Sequence, residues 1–374
     1  MLGNPDILYV GTASSGLYKS TNGGVTFDSI FDTGNTLSIG AIAVRPDDPN
    51  VVYVGTGEGA VRNSISFGDG IYKSTDGGKS WTHLGSKDSE RFSRIIIHSK
   101  NPRIVFAAAM GHTFGPNAER GLYRTQDDGR TWQRVLFVNE TTGASDVAID
   151  PHDPNIVYAG MYDYLRKPWH FRSGGPGSGL YRSTDGGITW TKLTDPALRN
   201  GLPGARLIGR VGVAISPSNP AIVYALIESQ EDGQLWRSDD RGRSWRMVNN
   251  ERRINNRPFY YTQVRVDPVD PERVYTLAGS FNVSTDGLVP RSTKDRADGM
   301  PHSGGDRRDS RHGRGARRAR RGGTQSSASG GDSCRTARAQ ADRLGLVWRC
   351  ARSPARQSCR PCELAHYSGG ELHG

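Results

Sequence analysis

At 374 residues with 34% apolar content, the chain is long enough to bury a core, as one large repeat domain or two smaller ones. Its net charge of +11 is concentrated at one end: 18 of the 49 basic and 8 of the 38 acidic residues lie at 288–374, leaving 31 basic and 30 acidic residues at 1–287. The basic balance therefore gives no support to a nucleic-acid reading of the first 287 residues, and no segment has transmembrane length.

The chain enters on Ile7-Leu8-Tyr9-Val10-Gly11-Thr12, with no basic residue before Lys19 and no apolar run of signal-peptide length, so no signal peptide is expected. The same pattern returns at Val51 to Thr56, Ile104 to Ala109, Ile156 to Gly160 and Ile222 to Leu226. Each of these later copies is preceded by alternating apolar residues, Ile39 to Pro46, Phe92 to Ser99, Ser145 to Pro151 and Val211 to Pro217, and a fifth such stretch runs from Tyr261 to Pro268. Pro-containing turns link the two, at Pro49, Pro102, Pro154, Pro220 and Pro271. The first unit is thus expected to lack its opening strand.

A third strand, as in Gly70 to Lys73 or Gly179 to Arg182, leads into a box read as Ser74-Thr75-Asp76-Gly77-Gly78-Lys79-Ser80-Trp81. Copies begin at Ser20, Thr125, Ser183 and Ser238, and a sixth, from Ser284, breaks off after Gly287. The spacings of 54, 51, 58, 55 and 46 residues match one four-stranded blade per repeat. A fourth strand follows, as in Thr82 to Leu84 or Gln133 to Val138. A four-stranded meander cannot bury its apolar faces alone, so the units are expected to stack face to face around an axis. The fold class is all-β: an incomplete β-propeller of about five to six four-stranded blades over residues 1–287.

The box needs no chemistry to explain it. Asp76, Asp127, Asp185 and Asp240 are placed to accept N–H groups of their own turns, the glycines permit positive φ, and Trp81, Trp132, Trp190 and Trp245 are suited to wedge between sheets. Strand alternation puts all boxes on one side of the disc and the long connections on the other, namely 57–69, 111–120, 161–178, 195–208 and 249–260, each expected to be irregular. Function is expected on that loop face.

The boxes resemble the Asp-box, or bacterial neuraminidase repeat, motif Ser-x-Asp-x-Gly-x-Thr/Ser-Trp, with Asn22 and the Thr125 copy departing slightly. The fuller unit of Asp-Pro turn, Val-Tyr-Ala/Val-Gly strand and box is similar to the large exported bacterial propellers known as sortilin-like or glycosyl-hydrolase-like. The stretch from Gly57 to Gly70 and Pro258-Phe259-Tyr260-Tyr261 look like that group rather than sialidases. The resemblance implies an extracellular or periplasmic location and further blades as partners.

From Leu288 the sixth box loses its aromatic and the sequence turns Arg- and Gly-rich, as at Arg311 to Arg321. The break inside a turn motif reads as out-of-frame continuation, disordered, rather than as an Arg/Gly nucleic-acid tail. All four cysteines, Cys334, Cys350, Cys359 and Cys362, lie there with a single CxxC pair, so no metal site is expected. Gly55-Thr56-Gly57-Glu58-Gly59 has the look of a dinucleotide loop but is followed by no helix, and no cofactor is expected.

Three functions remain open. A binding module would hold a polypeptide or glycan on the loop face, as the sortilin-like resemblance implies, with Arg62, Asn63, His112, Trp169, Arg257, Tyr260 and Tyr261 as candidate contacts. A glycoside hydrolase, sialidase-like or glucanase-like, needs two carboxyl groups, for which Glu58 and Asp69 are the first candidates, followed by Glu119, Asp163 and Glu228. Arg62, Arg94, Arg210 and Arg257 are the arginines available for an anionic sugar, and His112 and His170 lie on the same loops. The third reading is an inactive fragment with open sheet edges.

Overall fold

The computed structural model describes residues 4–292, apart from 33, 205–206, 230–233 and 288–290. The Arg/Gly-rich segment at 288–374, expected to be disordered, lies outside the described residues except for Arg291–Ser292, which pairs with Phe281–Ser284 as a short fourth strand.

Six antiparallel sheets follow one another in chain order as the blades of a propeller. Blade 1 has three strands, Leu8–Gly11, Leu17–Ser20 and Asp28–Ser29. Blade 2 opens with Ile39–Val44, blade 3 with Phe92–Ile97, blade 4 with Thr142–Ile149, blade 5 with Ile208–Ile215 and blade 6 with Gln263–Val266. These opening strands are innermost and pack on one another in succession. In blades 2 to 5 each carries a register shift near its start, at Ile39/Ala41, Phe92/Arg94, Ala144/Asp146 and Ile208/Val211. A bulge at the same place in each sheet raises the local twist and fits the strand to the crowded centre.

Five apolar clusters each join one blade to the next. Leu17, Ile39 and Val54 lie between blades 1 and 2, Tyr53, Phe92 and Val105 between blades 2 and 3, and Val147, Val157 and Ala108 between blades 3 and 4. Val211, Val223 and Leu180 continue the series, and Leu226, Leu235 and Val264 end it between blades 5 and 6. Each fully buried side chain of this size contributes about 1.5–3 kcal/mol, so the interfaces, not the isolated sheets, hold the fold.

The boxes fasten these interfaces at one face of the disc. Asp76 Oδ1 accepts the N–H groups of Lys79 and Ser80, both at 2.9 Å, and Oδ2 accepts Ser80 Oγ at 2.6 Å. The two bonds from Ser80 recur from Thr131 to Asp127, from Thr189 to Asp185 and from Ser244 to Asp240, and Asn22 accepts the N–H groups of Val25 and Thr26 through Oδ1 while its Nδ2 donates to Thr26 Oγ1. The fourth box residue always takes positive φ, including Asp128 (65°) and Arg241 (56°) where glycine is absent. Trp81, Trp132, Trp190 and Trp245 each pack into the cluster shared with the preceding blade, and Trp81 Nε1 donates to Ile30 O at 2.7 Å.

A second set of bonds ties each box to the blade before it. Tyr9 Oη donates to Gly77 O (3.4 Å), Tyr53 Oη to Asp128 Oδ1 (2.6 Å) and Tyr158 Oη to Arg241 O (2.7 Å). A cation from the preceding third strand joins them: Lys19 to Gly77 O (2.8 Å), Lys73 to Asp128, Arg124 to Gly186 O (2.7 Å) and Arg182 to Arg241 O (2.7 Å).

One connection expected to be irregular is not. The second strand of blade 4 runs from Val157 to Lys167 and turns back as His170–Ser173, so much of 161–178 is a β-hairpin above the disc. Tyr162 and Tyr164, two apart and both fully buried, continue the strand alternation past the point where Gly160 suggested its end.

The box carboxylates generate a pH-dependent prediction. Hydrogen bonds from Thr189 and Ser183 hold the Asp185 carboxyl well below the usual carboxylate range. Its stabilising contribution is therefore complete above the unfolded carboxyl value of about 4 and is lost as pH falls through the depressed folded value. Asp185→Ala should lower Tm at neutral pH, whereas Asp185→Asn, which copies the Asn22 geometry, should retain most of it and flatten the acid limb of a Tm-against-pH curve.

Candidate functional site

The loop face is organised by arginines that the fold buries. Arg91 and Arg120 have no exposed surface, and Arg210 retains 4%. Arg91, at the opening of blade 3, donates to Gly111 O (2.7 Å), Ala60 O (3.2 Å) and the Tyr164 hydroxyl. Arg120 donates to Thr141 O (2.5 Å), His112 O (3.1 Å) and Gly115 O (3.2 Å), with its guanidinium 4.0 Å from the Tyr164 ring centroid. Arg210, at the opening of blade 5, donates to Phe259 O at 3.1 Å. Carbonyls from several loops therefore converge on three planar cations, which fix loop backbone that has no sheet to join.

Burial acts on the charges around this framework. It lowers the Arg120 and Arg210 guanidinium values and raises the Glu228 carboxyl, the last opposed by the Arg210 N–H (2.8 Å) and by Ser173 Oγ (2.7 Å). Tyr162 Oη shares a 2.7 Å bond with the same Ser173. Glu90 is a second carboxyl pushed up by burial, opposed by His112 and Arg91. Its backbone sits at φ 53°, unusual for a residue with a side chain, and one carboxylate oxygen is buried without a hydrogen-bond partner.

The carboxylates expected from the sequence are placed as follows. Glu58 accepts Arg62 Nε through both oxygens, at 2.6 and 2.7 Å. Asp69 is buried and accepts Asn35 Nδ2 (2.9 Å) and Tyr72 Oη (2.7 Å), so it shares no partner with Glu58. Asp163 is buried against Arg172 (2.8 Å) and Thr141 (2.9 Å), and Glu119 accepts Tyr123 Oη at 2.7 Å. Glu228 belongs to the Ser173 and Arg210 cluster.

Among the other expected residues, Tyr260 and Tyr261 join Phe171 and Phe259 in one aromatic row, with successive centroids 5.3, 4.3 and 5.7 Å apart. Arg257 lies beside it, 5.9 Å from the Tyr260 ring centroid. Phe259 O also accepts Val61 N (3.1 Å), so loops of blades 2, 5 and 6 meet at one carbonyl. His112 contributes its carbonyl to Arg120 and Tyr164. Asn63 is exposed, as are His170 and Trp169 in the hairpin, with Trp169 at 82%. Sequence reasoning missed Phe67 (52% exposed) and Phe114 (42%), which with Trp169 give the loops of blades 2, 3 and 4 one outward aromatic each. It also missed Arg91, Arg120 and Glu90; the parallel openings Glu90-Arg91-Phe92 and Gly209-Arg210-Val211 were the available signal. No group of three or more metal-ligating side chains occurs among the described residues.

The family model described as Sortilin, neurotensin receptor 3 matches residues 15–136 and again 69–199, and the BNR-Asp box repeat model matches 235–248. The chain is an Asp-box β-propeller. A xyloglucanase from Paenibacillus is 28% identical over 212 residues, covering 50% of this propeller chain and 20% of the relative. A xyloglucanase from Acetivibrio thermocellus is 36% identical over 139 residues, covering 34% and 15%. The propeller chain thus spans a fifth or less of these relatives' length. The crystal structure of an ancestral GH74 enzyme superposes with a TM-score of 0.54 at 23% identity, covering 75% of this chain and 35% of that one, a likeness of fold.

Because Tyr164 Oη both accepts from buried Arg91 and donates to Met110 O (3.0 Å), Tyr164→Phe should destabilise the propeller by about 1.5–3 kcal/mol. Urea unfolding should show this as a lower midpoint at unchanged m.

Proposed function

We propose that the chain is a glycoside hydrolase-like propeller whose loop face holds a polysaccharide of the xyloglucan type. The observation that carries this reading is the sequence similarity to proteins named xyloglucanase. Phe67, Phe114 and Trp169 support it: the loops of three successive blades each present one exposed aromatic, the side-chain type that offers a flat apolar face to the C–H face of a sugar ring. A polymeric glycan substrate is met outside the cytoplasm, which agrees with an extracellular or periplasmic site of action.

In the hydrolytic form of this reading Glu58 and Asp69 supply the carboxylates, with Arg62 orienting Glu58. Glu90 and Glu228, whose carboxyls burial pushes up, are the groups of the same face best suited to retain a proton. Asn63, His112, Arg257, Tyr260 and Tyr261 stand as the further ligand contacts. The second reading, a sortilin-like module that binds polypeptide or glycan without turnover, is favoured by one observation: Asp69 Oδ2 is occupied by two internal donors.

Xyloglucan offered to the full chain, with reducing-end release and retardation in xyloglucan-containing gels measured together, separates the two. Turnover abolished by Glu58→Gln with binding retained supports hydrolysis; retardation without turnover supports the binding module; neither retardation nor turnover overturns the proposal. In either supporting case Trp169→Ala should weaken retention roughly tenfold, the equivalent of about 1.4 kcal/mol of lost stacking.

A further inference from the structure

The innermost strands carry a charged group that the glycan reading does not use, although its Arg94 was one of the arginines expected for an anionic sugar. Arg94 on blade 3, Asp146 on blade 4 and Arg265 on blade 6 come together although blades 4 and 6 are not neighbours, which places the group at the axis around which the strands curl. Asp146 is buried, and its oxygens accept backbone N–H groups from Val147 (2.9 Å) and Val213 (3.1 Å). Arg94 Nε lies 3.9 Å from Oδ1 and Arg265 Nη1 3.8 Å from Oδ2, both beyond hydrogen-bond reach.

Two guanidinium groups thus share one carboxylate without a directed bond to it. Arg265 Nη1 donates to Val264 O at 2.7 Å, but Arg94 donates no hydrogen bond among the described residues, and its Nε is buried without a partner. The net charge of the group is +1, and Arg265 feels it: burial first, and then Arg94, brings its value down to about 10 against the opposing Asp146. Both side chains nevertheless keep an accessible part, 34% for Arg94 and 28% for Arg265, so solvent reaches the two side chains although Arg94 Nε itself is buried. At the next strand Gly212 stands beside Asp146 Oδ2, and the Thr262 carbonyl occupies the space a side chain there would need, so blades 5 and 6 close against each other next to the group.

A solvent-reached position with excess positive charge and unsatisfied planar donors is chemically complementary to an oxyanion, which an arginine fork grips with paired bonds. We infer that the axial channel binds a small tetrahedral oxyanion of the phosphate or sulfate class between Arg94 and Arg265, at the level of Asp146. The ion neutralises the surplus charge, satisfies the Arg94 donors and links blade 3 to blade 6 through one ligand. This site is independent of the glycan reading, since it lies on the inner strands and uses none of the residues assigned to the glycan, Glu58, Asp69, Arg62 and Trp169 among them.

Titration of the full chain with inorganic phosphate, and separately with sulfate, against sodium chloride at matched ionic strength tests it by calorimetry and by Tm. A saturable, one-to-one response, weakened at least roughly tenfold in Arg94→Gln/Arg265→Gln, is the expected result, tenfold being the lower end for loss of charge-assisted bonds. A response to phosphate and sulfate no different from that to chloride overturns the site, as does unchanged affinity in the double variant. Should the double variant not fold, Arg94→Lys is measured instead: it keeps the charge but not the fork, and affinity equal to that of the unaltered protein overturns the proposal.

Discussion

The contact on which the molecule depends is the grip of one blade on the turn of the next. A tyrosine of strand two and a lysine or arginine of strand three reach across the interface to the following box, as Tyr53 and Lys73 do to Asp128 and as Tyr158 and Arg182 do to Arg241. The box is rigid because its own carboxylate has already folded the turn around itself. The tyrosine ring lies in the apolar cluster while its hydroxyl reaches the rim, so burial and hydrogen bonding are satisfied by the same side chain. Blade 3 is the exception: Phe106 packs against Gly187 without a hydroxyl, and Arg124 alone makes the polar link.

The opposite face uses different means. Among the described residues no carboxylate-centred turn recurs there, and the loops are held instead by cations inserted among carbonyls. A buried guanidinium costs desolvation energy, and it is tolerated here because Arg91 and Arg120 direct their donors at several oxygens at once and lie over the Tyr164 ring. The result is a firm base from which the hairpin of blade 4 and its exposed Trp169 project. Loop length thus varies between blades without disturbing the sheets beneath.

The architecture was legible because it rests on local rules repeated six times. A period-two apolar strand, a proline turn and an Asp-Gly turn are each decided within a few residues, and their recurrence sets blade number and the two faces. The hairpin at Tyr164–Ser173 was hidden because no repeat shares it and because Gly160 and Pro168 punctuate it as a loop would be punctuated. Arg91 and Arg120 were hidden for another reason: their partners are backbone carbonyls, which carry no sequence signature, supplied by loops as far apart as Ala60, His112 and Thr141. Glu58 and Asp69 were visible as loop-face carboxylates, but the pairing of Glu58 with Arg62 depends on how its own loop folds, and that of Asp69 with Asn35 on packing across blades 1 and 2.

The grip has a direction. The tyrosine and cation donors lie on the earlier blade and the accepting box on the later one, from Tyr9 and Gly77 to Tyr158 and Arg241, while Trp81 Nε1 returns one bond to the earlier blade at Ile30 O. During synthesis the strands that will hold a box have therefore left the ribosome before the box itself, and each new turn meets a finished docking surface as it forms. The blade-to-box contacts thus have a built-in order of assembly, whereas the opposite face, where Val61 N meets Phe259 O, closes only after the loop leading into blade 6 has been made.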